Sequence, residues 1–182
     1  MHSTAERGTL VSPAARPSEG AHPHRLDQRG CRRAPRFDGR LPKSLPPPAL
    51  TGHCGCGAVR FEIDAPLVAA GYCHCTRCQR RTGTAASATA RVAPGSVRLV
   101  AGEELLARWV PPGGFAKVFC SACGSALFGE APGSDEISLV RLGAISGDPG
   151  IRPQGHQYVA YAAPWEAIPD DGLPRFDETF PE

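Results

Sequence analysis

Seven cysteines in three tight groups constrain this chain more than any other feature. Cys54-Gly55-Cys56 comes first, Cys73-His74-Cys75-Thr76-Arg77-Cys78 follows after sixteen intervening residues, and Cys120-Ser121-Ala122-Cys123 after another forty-one. In a reducing compartment, clustered cysteines are metal ligands more often than disulfides. Thiolates at C-x-C and C-x-x-C spacing suit zinc. Gly57 and Gly124, each just beyond a cysteine pair, permit the positive φ of a tight turn whose N–H groups point at sulfur. The remaining composition agrees with a loop-rich domain of short strands and a thin core, since Gly 21 and Pro 19 accompany a single Met.

The count of ligands matters next. Four cysteines close a structural zinc site, whereas three protein ligands with an open fourth position are the catalytic arrangement. Two distant pairs supply the four most simply, and C-x-C-x-x-C supplies three locally. This reading puts Cys54, Cys56, Cys120 and Cys123 around one zinc and Cys73, Cys75 and Cys78 around a second. The spacing does not force the division. A cross-pairing in which His74 or His53 provides an eighth ligand closes both sites.

Other candidates surround the triplet. In an extended C-x-C segment the side chain of His74 points away from the metal, so it reads either as a catalytic base or hydrogen-bond donor to substrate, or as packing. Arg77, Arg80 and Arg81 are placed to lower thiolate pKa values and to hold a substrate carboxylate, or they form a solvated basic turn. Trp165 lines a pocket or fills a core. His156 falls in a predicted strand and reads as structural.

Short alternating runs at intervals of about ten residues predict an all-β domain. They are "AVRFEI", "LVAAGYC", "SATARVA", "SVRLVAG", "LLARWV", "FAKVFC", "ALFGE", "ISLVRLG" and "HQYVAYA", with only "TRCQRRTG" helical. Residues 1–49 are Pro- and Arg-rich without periodicity and are expected to be disordered. The folded domain is expected over residues 50–182. Nine Lys/Arg against four Asp/Glu lie in residues 1–49, so the net charge of +2 hides an acidic domain. That argues against a nucleic-acid partner. No apolar run reaches the length of a membrane span, and residues 1–49 hold no signal-type apolar segment. The expected location is cytoplasmic; oligomeric state is not legible.

The motifs "TGHCGCGAVRFEI", "YCHCTRCQRRTG", "FCSACGSALF", "VRLGAI" and "APWEAIPDDGLPRF" occur here in the order of the glutathione-dependent formaldehyde-activating (GFA) enzyme family, which the chain resembles from about Thr51 to Phe176. The resemblance implies a β-tent-like fold of small curled antiparallel sheets stabilised by zinc. It implies a structural zinc on Cys54, Cys56, Cys120 and Cys123, and an active-centre zinc on Cys73, Cys75 and Cys78. The implied activity is that of a carbon–sulfur lyase joining formaldehyde and glutathione reversibly as S-(hydroxymethyl)glutathione. A departure is "GAISGDPG", where many relatives carry an acidic residue after a leucine; Asp148 partly replaces it. A non-catalytic zinc module or thiol carrier, and carbon–sulfur chemistry on another thiol or aldehyde, are the alternative readings, because family membership specifies a scaffold better than a substrate.

Overall fold

The structure, a computed structural model, describes residues 49–181. The extension expected over residues 1–49 lies, but for Ala49, outside them. The chain runs β1 (Leu50–His53), β2 (Arg60–Ile63), β3 (Ala69–Cys73), α1 (Thr76–Thr82), β4 (Ser87–Arg91), β5 (Val97–Ala101), β6 (Leu106–Trp109), β7 (Ala116–Cys120), β8 (Ala126–Glu130), β9 (Ile137–Arg141), β10 (His156–Gln157) and β11 (Arg175–Phe176). Strands β1, β2 and β5 form a three-stranded antiparallel sheet. The other eight form an open sheet in the order β11-β10-β3-β4-β9-β8-β7-β6. The expected all-β class of curled sheets is the one observed, except that the sheets are not antiparallel throughout: β10 pairs in parallel with both β3 and β11.

Each of the alternating runs contains a strand. The last, "HQYVAYA", does so only at His156–Gln157, because Tyr158 turns into the left-handed region at φ 59° and Val159–Tyr161 close a 3-10 turn. Strands β1 and β11 lack the alternation that would have announced them: β1 contains Gly52, and β11 is two residues long.

Register divides the large sheet into two unlike faces. Directly paired residues project to the same side. Ala70 pairs with Ala90, Ala90 with Val140, Val140 with Phe128 and Phe128 with Val118. These five are buried together with Val59, Phe61 and Ile63 of the small sheet and its approach, and Phe61 meets Phe128 edge-on at 4.8 Å between centroids. The small sheet therefore covers this apolar face. Burying a Phe or Val side chain there stabilises the fold by about 1.5–3 kcal/mol. Gly52 is required by the same packing: a Cβ on it would lie 2.2 Å from the Phe61 ring.

The opposite face carries Cys73 paired with Ser87, Thr89 with Arg141, and Gly129 with Lys117. Helix α1 lies over this face, Arg81 donating to Val118 O at 3.3 Å and stacking on Phe119 at 5.0 Å. One face holds most of the core; the other carries Cys73 and is covered by α1.

Candidate metal centre

Two groups of cysteines converge, and they are the four and the three. Among the described residues, the sulfurs of Cys54, Cys56, Cys120 and Cys123 lie within 4.8 Å of one another, as do those of Cys73, Cys75 and Cys78. Neither His53 nor His74 joins either group. A tetrahedral ion with metal–sulfur bonds of ~2.3 Å needs sulfurs ~3.8 Å apart, so both sets fit a metal ion with little adjustment.

The four-cysteine set joins two turns. Gly57 N–H closes on Cys54 O at 2.9 Å and Gly124 N–H on Cys120 O at 2.8 Å, each glycine left-handed, at φ 74° and 73°. Val59 N–H then points at Cys54 Sγ, 3.3 Å away. Ser125 ties the turns together: its hydroxyl accepts from Gly55 N–H at 2.8 Å and lies 3.2 Å from Cys123 Sγ. The hydrogen bonds from Ser125 hold the Cys123 thiol down at about 5. Burial opposes ionisation of Cys54, yet the Val59 N–H and the Cys56 thiol leave it lowered. Cys56 is pushed up to about 11: its Ala58 backbone partner favours the thiolate, but the neighbouring Cys54 and Cys123 sulfurs outweigh it. Four thiols this close cannot all ionise unless a cation sits among them.

The three-cysteine set spans the end of β3 and the start of α1. Cys73 is the last residue of β3, Cys75 the N-cap of α1, and Cys78 lies in its first turn. Cys75 Sγ accepts from Cys78 N–H at 3.4 Å, as a capping oxygen would. Thiols of Cys73 and Cys78 donate to Cys75 and hold it at about 2. Cys73 is raised by Cys75 and Cys78 and then by burial. The hydrogen bond with Cys73 favours the Cys78 thiolate, but Cys75 and burial leave Cys78 raised. The three sulfurs thus favour ionisation at Cys75 over Cys73 and Cys78, and binding a soft cation releases the protons that the group holds.

Three of the four expected substrate-binding residues meet in one place. Arg77, Arg80 and Arg81 line a cleft of about 550 Å³ with Thr76, Trp109 and Phe119. Arg77 donates to Gly113 O at 2.9 Å, fastening α1 to the β6–β7 loop. Arg80 donates to no group among the described residues. Trp165 is 65% exposed and does not line this cleft; the tryptophan there is Trp109. The structure also keeps the ring of His74 out of the thiol group. It projects to the face opposite Cys73 and bonds His156, Nε2 to Nδ1, at 2.9 Å.

His156 in turn meets Asp171 at 3.1 Å through Nε2 and stacks on Tyr72. His74 and His156 are both buried. Together with Gln79, whose amide donates to His74 O at 2.6 Å and Tyr161 O at 2.8 Å, this chain of contacts fixes the backbone between Cys73 and Cys75. Asp171→Ala removes the acceptor for His156 and for Leu173 N–H. It is expected to cost about 1–3 kcal/mol, read as a lower urea midpoint with an unchanged slope.

Lys117, Arg141 and Asp171 escaped sequence reasoning. Alternation marks Lys117 as facing away from the core, which ordinarily means solvent, but α1 covers that face. Asp171 lies within the "APWEAIPDDGLPRF" motif, and only the fold reveals that it reaches His156.

Among the described residues no helix is long and apolar enough to cross a membrane. The family model for glutathione-dependent formaldehyde-activating enzyme matches residues 49–161. No curated protein matches. A solved structure of a Rhodobacter sphaeroides protein is similar at 26% identity, covering 69% of this chain and 98% of its own, with a TM-score of 0.43. The matched span contains all seven clustered cysteines, so the chain belongs to the glutathione-dependent formaldehyde-activating enzyme family.

Proposed function

We propose that this chain is a zinc-dependent carbon–sulfur lyase, joining formaldehyde reversibly to glutathione as S-(hydroxymethyl)glutathione. The supporting observation is a three-sulfur group with no fourth protein ligand among the described residues, joined to α1, whose three arginines line a cleft. Cys54, Cys56, Cys120 and Cys123 hold a structural zinc in this reading; Cys73, Cys75 and Cys78 hold a second. Zinc bound by three thiolates supplies an open position that favours an incoming thiol in its thiolate form.

The chain's own residues do the rest. Arg80, with no partner among the described residues, and Arg81 offer guanidinium groups to the carboxylates of glutathione. Arg77, bonded to the β6–β7 loop, lends charge to the same cleft. His74 holds the Cys73–Cys75 segment through His156 and Asp171 without facing the substrate. The uncatalysed addition already proceeds, so the protein needs to lower the barrier by only a few kcal/mol, each ~1.4 kcal/mol being tenfold.

Metal stoichiometry tests this reading. Cadmium-113 replacement is expected to give two resonances, of which glutathione shifts only one. A single resonance indifferent to glutathione would overturn it. The same measurement addresses location of the open site, because a shift of both signals would place the thiol elsewhere.

A further inference from the structure

A second cleft, of about 430 Å³, draws its walls from around both sulfur groups. Ser125 belongs to the four-sulfur turns, Ser87 is paired with Cys73, and Thr82 ends α1. Arg141, the last residue of β9, lines it as well. At 8% exposure it is the one buried arginine among the described residues. None of the residues lining this cleft is acidic.

The protein holds this guanidinium by one nitrogen. Arg141 Nη1 donates to Ser87 Oγ and to Thr89 Oγ1, which occupies both of its N–H groups. A guanidinium has five N–H donors, so the one on Nε and the two on Nη2 are left without a partner among the described residues. Within that set, the single side-chain nitrogen or oxygen both sealed from solvent and unbonded is Arg81 Nε. Arg141 Nε and Nη2 are therefore not sealed in the protein, and the space they reach is the cleft. Side by side, their N–H groups form the fork that a carboxylate accepts through two parallel bonds. Ser87 and Thr89 are neutral, and no ion pair among the described residues includes Arg141. Buried charges are ordinarily paired, and here the cleft is open to a counter-charge.

We propose that this cleft is a carboxylate subsite anchored by Arg141, and that it receives the C-terminal carboxylate of a peptide thiol. The source of the carboxylate rests on the lyase reading above; the site itself does not. Ser87, which holds the guanidinium, lies directly opposite Cys73, so the anchor and the three-sulfur group share one pair of strands. The volume falls within the ~300–1,000 Å³ of small-molecule sites, so the cleft has room for more of the ligand than its carboxylate. The Thr82 and Thr84 hydroxyls bond each other at 2.7 Å and the carbonyls of Cys78 and Ala86 at 2.9 and 2.7 Å. Their two protons serve those contacts, which leaves their oxygens as acceptors for N–H groups of the ligand. A carboxylate beside an amide N–H is the C-terminal end of a peptide. Glutathione has such an end, and the arginine cleft on α1 is then left to its other carboxylate.

S-methylglutathione, which keeps both carboxylates and has no free thiol, is the probe. It is titrated into the metal-loaded protein at constant ionic strength in chloride, beside its glycyl amide and beside propionate. The acid is expected to bind saturably, and Arg141→Gln to weaken it at least ~10-fold, the size of a lost hydrogen bond to a charged group. The amide is expected to bind the natural protein as weakly as the acid binds Arg141→Gln, and to be indifferent to that substitution. Gly143→Phe is the independent variant: Gly143 lines the cleft, and a Cβ there meets nothing within 4 Å, so the ring fills the cleft without disturbing the packing. It too is expected to weaken the acid at least ~10-fold. Metal content and near-ultraviolet circular dichroism verify that each variant is folded. Equal binding of acid and amide to the natural protein, or of the acid to the natural protein and the folded variants, overturns the proposal and leaves the lyase reading standing. Absence of binding by both S-methylglutathione and propionate overturns it as well. Propionate binding that Arg141→Gln loses, in a protein that ignores S-methylglutathione, upholds the carboxylate site and removes the glutathione lyase reading instead.

Discussion

Cys75→Ser is expected to yield a folded protein that has lost one metal ion and its formaldehyde–glutathione exchange. The fold survives for a local reason. Cys75 caps α1 with its sulfur, accepting from Cys78 N–H at 3.4 Å, and serine is a better N-cap than the cysteine it replaces. The side chain is only partly buried, so little packing is lost. The chemistry does not survive, because Cys75 is one of only three sulfurs in the group, and hydrogen bonds from Cys73 and Cys78 lower its thiol. A neutral hydroxyl is a poor donor to a soft cation, and two buried thiols without the central thiolate bind an ion weakly. Two-dimensional exchange NMR of formaldehyde and glutathione is expected to show a rate down at least ~100-fold, about 2.7 kcal/mol of barrier. Metal analysis is expected to fall from two equivalents to one, and the melting temperature to move by a few degrees. An unchanged exchange rate would reject the three-cysteine group as the reacting centre.

The sequence reveals the cysteines of that group far better than their surroundings, and the reason is physical. Cysteine spacing is a local property: C-x-C and C-x-x-C close turns within four residues, so Cys73, Cys75 and Cys78 could be brought together by chain stiffness alone. The same locality put Arg77, Arg80 and Arg81 in one cleft, since they share a helix of seven residues. Alternation likewise exposes the strands, because each short run has one face against the apolar core. What local pattern cannot convey is what lies over the other face. Lys117 reads as solvent-facing in "FAKVFC" until α1 is laid across it, and Arg141 reads as the polar end of "ISLVRL" until β4 brings Ser87 and Thr89 beneath its guanidinium. Trp165 illustrates the same limit from the other side. Its sequence neighbours suggested a pocket, yet the aromatic wall of the cleft is Trp109, fifty-six positions earlier and brought in by strand pairing with Lys117.

Cys120→Ser is expected to unfold the domain, although it too removes one ligand from a sulfur group. The difference lies in where the ligand sits. Cys120 is fully buried at the end of β7 within the apolar core, in the same cluster as Cys54, Phe61 and Phe128. A hydroxyl there has no sulfur-like affinity for metal and is buried at a cost of about 1–3 kcal/mol if unpaired. In the proposed reading the larger loss is the ion. Structural zinc contributes roughly 10–16 kcal/mol in small zinc-dependent folds, comparable with the whole ~5–15 kcal/mol stability of a domain. Here the four-sulfur group clamps the β1–β2 turn of the small sheet to the β7–β8 turn of the large one, so its failure releases the sheet that covers the apolar face. Cys56→Ser removes a ligand from the same group at an exposed position, without the core penalty, and is expected to be the milder of the two. Circular dichroism and metal content measured together decide it. Cys120→Ser that keeps its fold and both equivalents of metal would show that the core, and not the four-sulfur clamp, joins the two sheets.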